Sequence, residues 1–275
     1  MILPKVSIVV PAHNEATSLA AGLPPLLAVP GEFDVIVVAN GCADGTAEVA
    51  RRAGARVLET ARPGKAHALR LGDAACTVFP RLYLDADVLI TAASVRALLR
   101  AAAEPGVLAC APRPVLDLSG AGRVARRVHR VHDLLIAPTR VLAGAGAYLL
   151  TEEGHGRVFP LPDVLADDGW AQASFAPHER RSEPAATTVV RPARTVGAHL
   201  RRRIRVRSGN RQLAELGRPA PEGRLGLGDL AALVRRREAG PVDAGCYLGV
   251  LLLDRALTAT RRGPVSWGSD TGSRR

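Results

Sequence analysis

Aromatic residues make up only 3% of this 275-residue chain. Single-stranded nucleic acids are held by stacking bases on aromatic side chains set among positive charges. The shortage therefore argues against that partner class, even though the formal net charge is +11. Cysteine is also thin. Cys42, Cys76, Cys110 and Cys246 lie far apart, with no Cys-x-x-Cys pair and no histidine at ligand spacing. A structural zinc site and a disulfide framework are both disfavoured, and reduced thiols in the cytoplasm are expected. Long apolar runs are missing too. Val6–Val10 ends at Pro11 and reads as a strand, not a leader peptide. Cys246–Leu253 is interrupted by Gly249 and closed by Asp254, too short to span a bilayer. Two phosphate-binding signatures are absent: no Gly-x-Gly-x-x-Gly follows the first strand, and no P-loop occurs.

What is present suits a folded α/β protein. The chain is 47% hydrophobic with a mean hydropathy of +0.09, enough to bury one full core with an appendage. The excess of Arg and Lys fits a phosphorylated small molecule or an anionic membrane surface. Val6–Val10 and Phe33–Val38 are β-branched runs without alternation, the pattern of strands buried on both faces of a parallel sheet. Each is followed by a loop and a helix, and Arg56–Glu59 is a third strand. Ligands of such sheets bind beyond the carboxyl ends of the strands. The loops at 11–15, 39–46 and 85–87 are expected along that edge. Tyr83-Leu84-Asp85-Ala86-Asp87-Val88 ends a buried strand with two carboxylates one residue apart. On extended chain both share a face, so Asp85 and Asp87 form a seat for a hard divalent cation with its phosphate oxygens. Gly64-Lys65 opens a helix whose free N–H groups attract anions.

Val6–Glu15, Ala39–Thr46, Gly64–Gly72 and Tyr83–Val88, in that order, resemble the nucleotide-sugar half of a family 2 glycosyltransferase. The resemblance extends over roughly residues 5–210 and implies an α/β GT-A fold. That fold is an open, mainly parallel, Rossmann-like sheet flanked by helices, here followed by a short helical C-terminal appendage. It also implies roles for individual residues. Pro11, Ala12 and Glu15 would surround the nucleoside. Asn40 stands where relatives use an acid to hold the base. Asp44 and Lys65 would lie near base or diphosphate, Asp85 and Ala86 near the ribose, and Asp87 with Asp85 on Mg²⁺ or Mn²⁺. The donor class implied is a UDP- or GDP-sugar.

The second half carries the acceptor-side expectations. Val141–Leu150 resembles the glycine-containing strand that lines the acceptor in this family, with Gly144 and Gly146 allowing close approach. Asp163–Trp170 resembles the acidic motif that carries the base of inverting members, which assigns Asp168 as base and Asp167 as its neighbour, with Asp163 in reserve. Trp170 is either a sugar-stacking platform or ordinary core. His199–Asn210 is the densest basic stretch. Arg205 and Arg207 would contact the leaving diphosphate bidentately, and His199 matches the histidine that completes many GT-A metal sites. Processive relatives carry Gln-x-x-Arg-Trp in this stretch; here Arg202, Arg205 and Val206 stand there, which favours transfer of a single sugar.

The expected layout is 1–212 for the transferase domain, divided into a nucleotide-sugar half (1–90) and an acceptor and base half (91–212). A linker and helices at 213–260 and a disordered tail at 261–275 follow. Arg123–Val131 reads as an amphipathic helix with a solvated charged face. Leu230–Arg237 joins leucines to arginines, so cytoplasmic-face membrane contact is a further expectation. The acceptor is left as a small molecule or lipid-linked hydroxyl, and nucleic acid is not expected. The rivals are a nucleotidyltransferase, which would show Gly-x-Gly-Thr-Arg after the first strand, a basic non-catalytic binding protein, and a transferase that has lost turnover.

Overall fold

The computed structural model describes residues 6–218 and 226–260. The first half alternates strand and helix: β1 (Ser7–Ala12), α1 (Ala16–Leu26), β2 (Asp34–Asn40), α2 (Thr46–Arg52), β3 (Arg56–Thr60), α3 (Lys65–Ala74) and β4 (Arg81–Leu84). These four strands are parallel in the order β3-β2-β1-β4. Every residue of β1 is buried, as the unbroken β-branched run required. The in-register pairing Ala12↔Ala39 aligns the ends of β1 and β2, so their following loops share one edge. Helix α3 lies close against β1 through Gly72, where a Cβ would come within 2.4 Å of Val9 Cγ1.

The second half comprises β5 (Leu89–Ile90), α4 (Ala92–Ala102), β6 (Ala109–Leu116), α5 (Arg123–Ile136), β7 (Ala147–Leu150), α6 (Glu152–Val158), α7 (Asp167–Ala173), β8 (Arg180–Val190) and α8 (Val196–Glu215). The complete sheet runs β3-β2-β1-β4-β7-β6-β8-β5. The parallel expectation holds through β4 and then gives way. β7 is antiparallel to both β4 and β6, and β5 is antiparallel to β8. The strand expected over Val141–Leu150 is confined to Ala147–Leu150. Residues 141–146 form a turn, with φ of +76° at Gly144 and +73° at Gly146. Only glycine adopts such angles without strain, and a Cβ on Gly146 would also sit 2.6 Å from Val88 Cγ2.

Two further helices, α9 (Leu227–Arg235) and α10 (Pro241–Thr260), follow. They are not separately packed. Leu230, Leu233, Tyr247 and Val250 share a core with Val128, Val131 and Leu135 of α5 and Leu200 of α8. The expected boundary at 212 thus falls inside α8. Leu230 and Leu233 are buried here, so the membrane reading of Leu230–Arg237 loses its leucines. Part of the expected linker, residues 219–225, and the tail 261–275 lie outside the described residues. Among the described residues no helix is long and apolar enough to cross a membrane.

Candidate active site

A cleft of about 220 Å³ opens at the carboxyl edge of β1, β2 and β4. Its walls include Pro11 near the end of β1, His13 and Glu15 just after it, Asn40 at the end of β2, and Lys65 at the start of α3. Asp85, Ala86, Asp87 and Val88 follow β4, the Gly144 and Gly146 turn and Asp168 close one side, and Arg202 and Arg205 of α8 face them. Both halves of the sequence reading therefore meet in one cavity.

The acidic loop is held from two sides. Asp85 N–H donates to Gly146 O at 2.9 Å, which ties it to the glycine turn. Lys65 Nζ lies 2.6 Å from Asp85 Oδ1 and 2.8 Å from Asp167 Oδ1. Burial works against the Lys65 charge, but the carboxylates of Asp167, Asp85 and Asp168 outweigh it and raise the ammonium's pKa. Asp87 is exposed to the cleft, yet the surrounding walls strip enough water to raise its pKa. The negative charge of Asp85 adds to this, and Arg202 and Lys65 oppose it. Among the described residues no three Asp, Glu, His or Cys side chains are grouped to hold a metal by themselves. The two carboxylates suit a hard cation whose remaining ligands come from phosphate and water.

Asp167 and Asp168 begin α7 and diverge. Asp167 is 3% exposed. It receives Lys65 and, at 3.3 Å, the Tyr148 hydroxyl, and burial pushes its pKa up to about 6. Asp168 faces the cleft, where Oδ2 accepts from Gly144 N–H at 2.7 Å and Oδ1 from Gly169 N–H at 2.8 Å. Gln172, one turn further along α7, accepts from Leu142 N–H at 2.9 Å and Ala143 N–H at 3.0 Å. The start of α7 thus fixes the glycine turn.

Other expected site residues are placed differently. Asn40 is 1% exposed. Its Nδ2 donates to Ala12 O at 2.7 Å and to Val38 O at 3.4 Å, and its Oδ1 accepts from Gly64 N–H at 3.0 Å. The amide clamps three segments of main chain, which leaves it only an acceptor lone pair for a base. Ala12 is buried core whose carbonyl receives that bond. Asp44 accepts from Thr46 N–H at 3.0 Å and Ala16 N–H at 3.3 Å, holding the starts of α2 and α1. Trp170 packs in the core cluster of Tyr148 and Leu161, donates to Val158 O at 3.1 Å, and lies beneath the Arg218 guanidinium. It does not line the cleft. Asp163 is exposed and paired with Arg70 at 2.9 Å.

The basic helix α8 presents two faces. Arg202 and Arg205, three residues apart, line the cleft. Arg203 and Arg207 turn instead to Asp254 of α10, with Arg203 Nε 2.9 Å from its carboxylate. Asp254 is 2% exposed. Arg207 is therefore engaged in a buried ion pair and is not on the cleft wall. His199 is 6% exposed and stacks edge-on against His129, with ring centroids 4.9 Å apart. Burial, then the neighbouring His129 and Arg203, push its pKa down to about 4. The structure brings His199 to a histidine cluster on α5 and not to the wall beside Asp87. Sequence reasoning missed His13, Arg202 and Gln172. The spacing of Arg202 to Arg205 was visible, but which of six arginines faces inward depends on the packing of α10.

Residues 7–140 match the family model described as glycosyl transferase family 2. A sequence relative is an uncharacterised glycosyltransferase of Mycobacterium tuberculosis, 40% identical over 82 residues. The match covers 30% of this chain and 36% of the relative, so the chain spans about a third of that protein's length. The fold is that of GT-A glycosyltransferases. A mannosyltransferase from Pyrobaculum calidifontis, in complex with GDP-mannose and Mn²⁺, superposes with a TM-score of 0.60 at 22% identity. The match covers 94% of this chain and 80% of that one. Glucosyl-3-phosphoglycerate synthase from M. tuberculosis, in complex with Mg²⁺ and UDP, superposes with a TM-score of 0.53 at 22% identity, covering 79% and 81% of the respective chains.

Proposed function

We propose that this chain is an inverting, non-processive glycosyltransferase that moves one sugar from a nucleoside-diphosphate sugar to an acceptor hydroxyl. The observation that carries the reading is the convergence of Asp85, Asp87, Asp168, Arg202 and Arg205 on one cleft at the edge of a GT-A sheet. The neighbours' complexes with GDP-mannose and with UDP support the donor class.

Asp87 and Asp85 would hold Mg²⁺ or Mn²⁺, which when bound offsets the charge of the donor diphosphate. Lys65 keeps Asp85 and Asp167 in fixed positions. Asp168, oriented by the Gly144 and Gly169 amides, accepts the proton of the acceptor hydroxyl as its oxygen bonds to the anomeric carbon. The bond from that carbon to the diphosphate oxygen breaks on the opposite side, which inverts the configuration. Arg202 and Arg205 receive the charge that develops on the departing diphosphate. Asp167 is unsuited to the proton transfer because Lys65 and Tyr148 already occupy it.

The test is to incubate the protein with UDP- and GDP-sugars and Mn²⁺, measure release of nucleoside diphosphate, and read the anomeric configuration of the product by NMR. Release with inversion, lost in Asp168→Asn, is expected. Release with retained configuration, or full activity in Asp168→Asn, would refute the mechanism.

A further inference from the structure

We propose that the outer face of α10, with the arginines around it, docks on an anionic membrane surface. α10 buries Ala244, Tyr247, Val250 and Asp254 against the helices beneath it. At 100° per residue, Val242, Gly245, Gly249, Leu252 and Leu253 fall on the opposite side. Val242 is 64% exposed, Leu252 62% and Leu253 46%. A Cβ on Gly245 or Gly249 would meet nothing within 4 Å. Between 242 and 253 the only ionised side chain is Asp243, and it is turned toward Arg127 of α5. The outer face is therefore apolar and uncharged along three turns.

The surroundings of this face identify the occupant. Helices α5, α8, α9 and α10 with the 236–238 turn carry fourteen arginines against six carboxylates. Of these, Arg202 and Arg205 line the cleft and Arg127, Arg203 and Arg207 pair with carboxylates, which leaves nine others on these elements. Arg235, Arg236 and Arg237 are exposed just before α10 begins, and Arg255 is exposed near its other end. An apolar helix face bordered by arginines fits the interface of a bilayer rich in acidic lipid. A second copy of the chain would bring two strongly basic layers together, which like-charge repulsion disfavours. Nucleic acid would leave the apolar stripe uncovered, and no aromatic side chain is among the exposed large hydrophobics of the described residues. The inference does not rest on the transferase reading.

The full chain would be co-sedimented with phosphatidylcholine vesicles and with vesicles containing one-third phosphatidylglycerol, at low and high salt. Binding to the acidic vesicles, weakened by salt, is expected. The double variant Leu252→Glu/Leu253→Glu should reduce it roughly tenfold or more. Both positions are exposed, and circular dichroism and Tm would verify an intact fold. A second variant, Arg235→Gln/Arg237→Gln, should weaken binding by a smaller factor. Lack of binding, equal binding to neutral vesicles, or binding unchanged by the leucine substitutions would each overturn the proposal. So would a stable dimer in light scattering that the leucine substitutions dissolve.

Discussion

Two pairs of aspartates face each other across Lys65, and their chain geometry separates their roles. Asp85 and Asp87 straddle one residue at the end of a strand, and both line the cleft. Asp167 and Asp168 are adjacent at the start of a helix, where 100° of rotation sends one inward and leaves the other at the cleft. The same residue type thus serves two purposes. Where the backbone gives both carboxylates one direction, they repel unless a cation joins them. Where it gives them different directions, one is paired with the half-buried Lys65 and its neighbour stays on the cleft wall.

The largest expected effect breaks that asymmetry at the helix. Asp168→Asn should lower turnover by about 10²–10⁴-fold, whereas Asp167→Asn, which leaves the cleft carboxylate in place, should cost no more than about tenfold; steady-state rates with a consumed donor measure both. Equal losses would mean that the pair acts as one unit. Lys65→Met leaves Asp167 buried without its cation. It should destabilise the fold by about 3 kcal/mol, read as a lower denaturant midpoint, and Asp167→Asn in the same background should restore part of the loss.

A smaller effect lies away from the cleft, in the histidines of α5 and α8. Burial, with Arg203 and the neighbouring histidines, pushes the His132 pKa down to about 3. Its Nδ1 is buried without a hydrogen-bond partner. The folded protein then binds fewer protons than the unfolded chain between pH 6.5 and about 3. The stability this group contributes is complete above pH 6.5 and is lost as pH falls through that window. His132→Phe should flatten the decline of Tm between pH 7 and 4.5 and differ little from wild type at pH 7. A parallel decline in both proteins would place the acid sensitivity elsewhere.

The first half of the chain was the more legible part. β-branched runs without alternation mark buried parallel strands, so β1 and β2 could be placed within a residue or two, while β4 was read from the apolar stretch that ends in Asp85 and Asp87. The second half hid more. β8 runs from Arg180 to Val190 through Ser, Glu, Pro and Thr and has no hydrophobic period to find. The 141–146 segment was expected to be strand from its resemblance to the family's glycine-containing strand, yet two positive-φ glycines make it a turn. Asp168 could be singled out because its motif is local, and it lines the cleft. The assignments of Arg207, His199 and Trp170 to the cleft did not match the geometry, since each depends on which way a helix is turned by distant partners. For α8 the turning partner is Asp254, 51 residues beyond Arg203.

The central claim is that Asp85 and Asp87 form one metal–diphosphate seat. Calorimetric titration of UDP and GDP into the protein, with Mn²⁺ and then with chelator, tests it most directly when wild type is compared with Asp87→Ala. The account predicts tight binding of one nucleotide that needs Mn²⁺ in the wild type and loses that dependence in Asp87→Ala. Binding that is equal with chelator, or unchanged by Asp87→Ala, would contradict it.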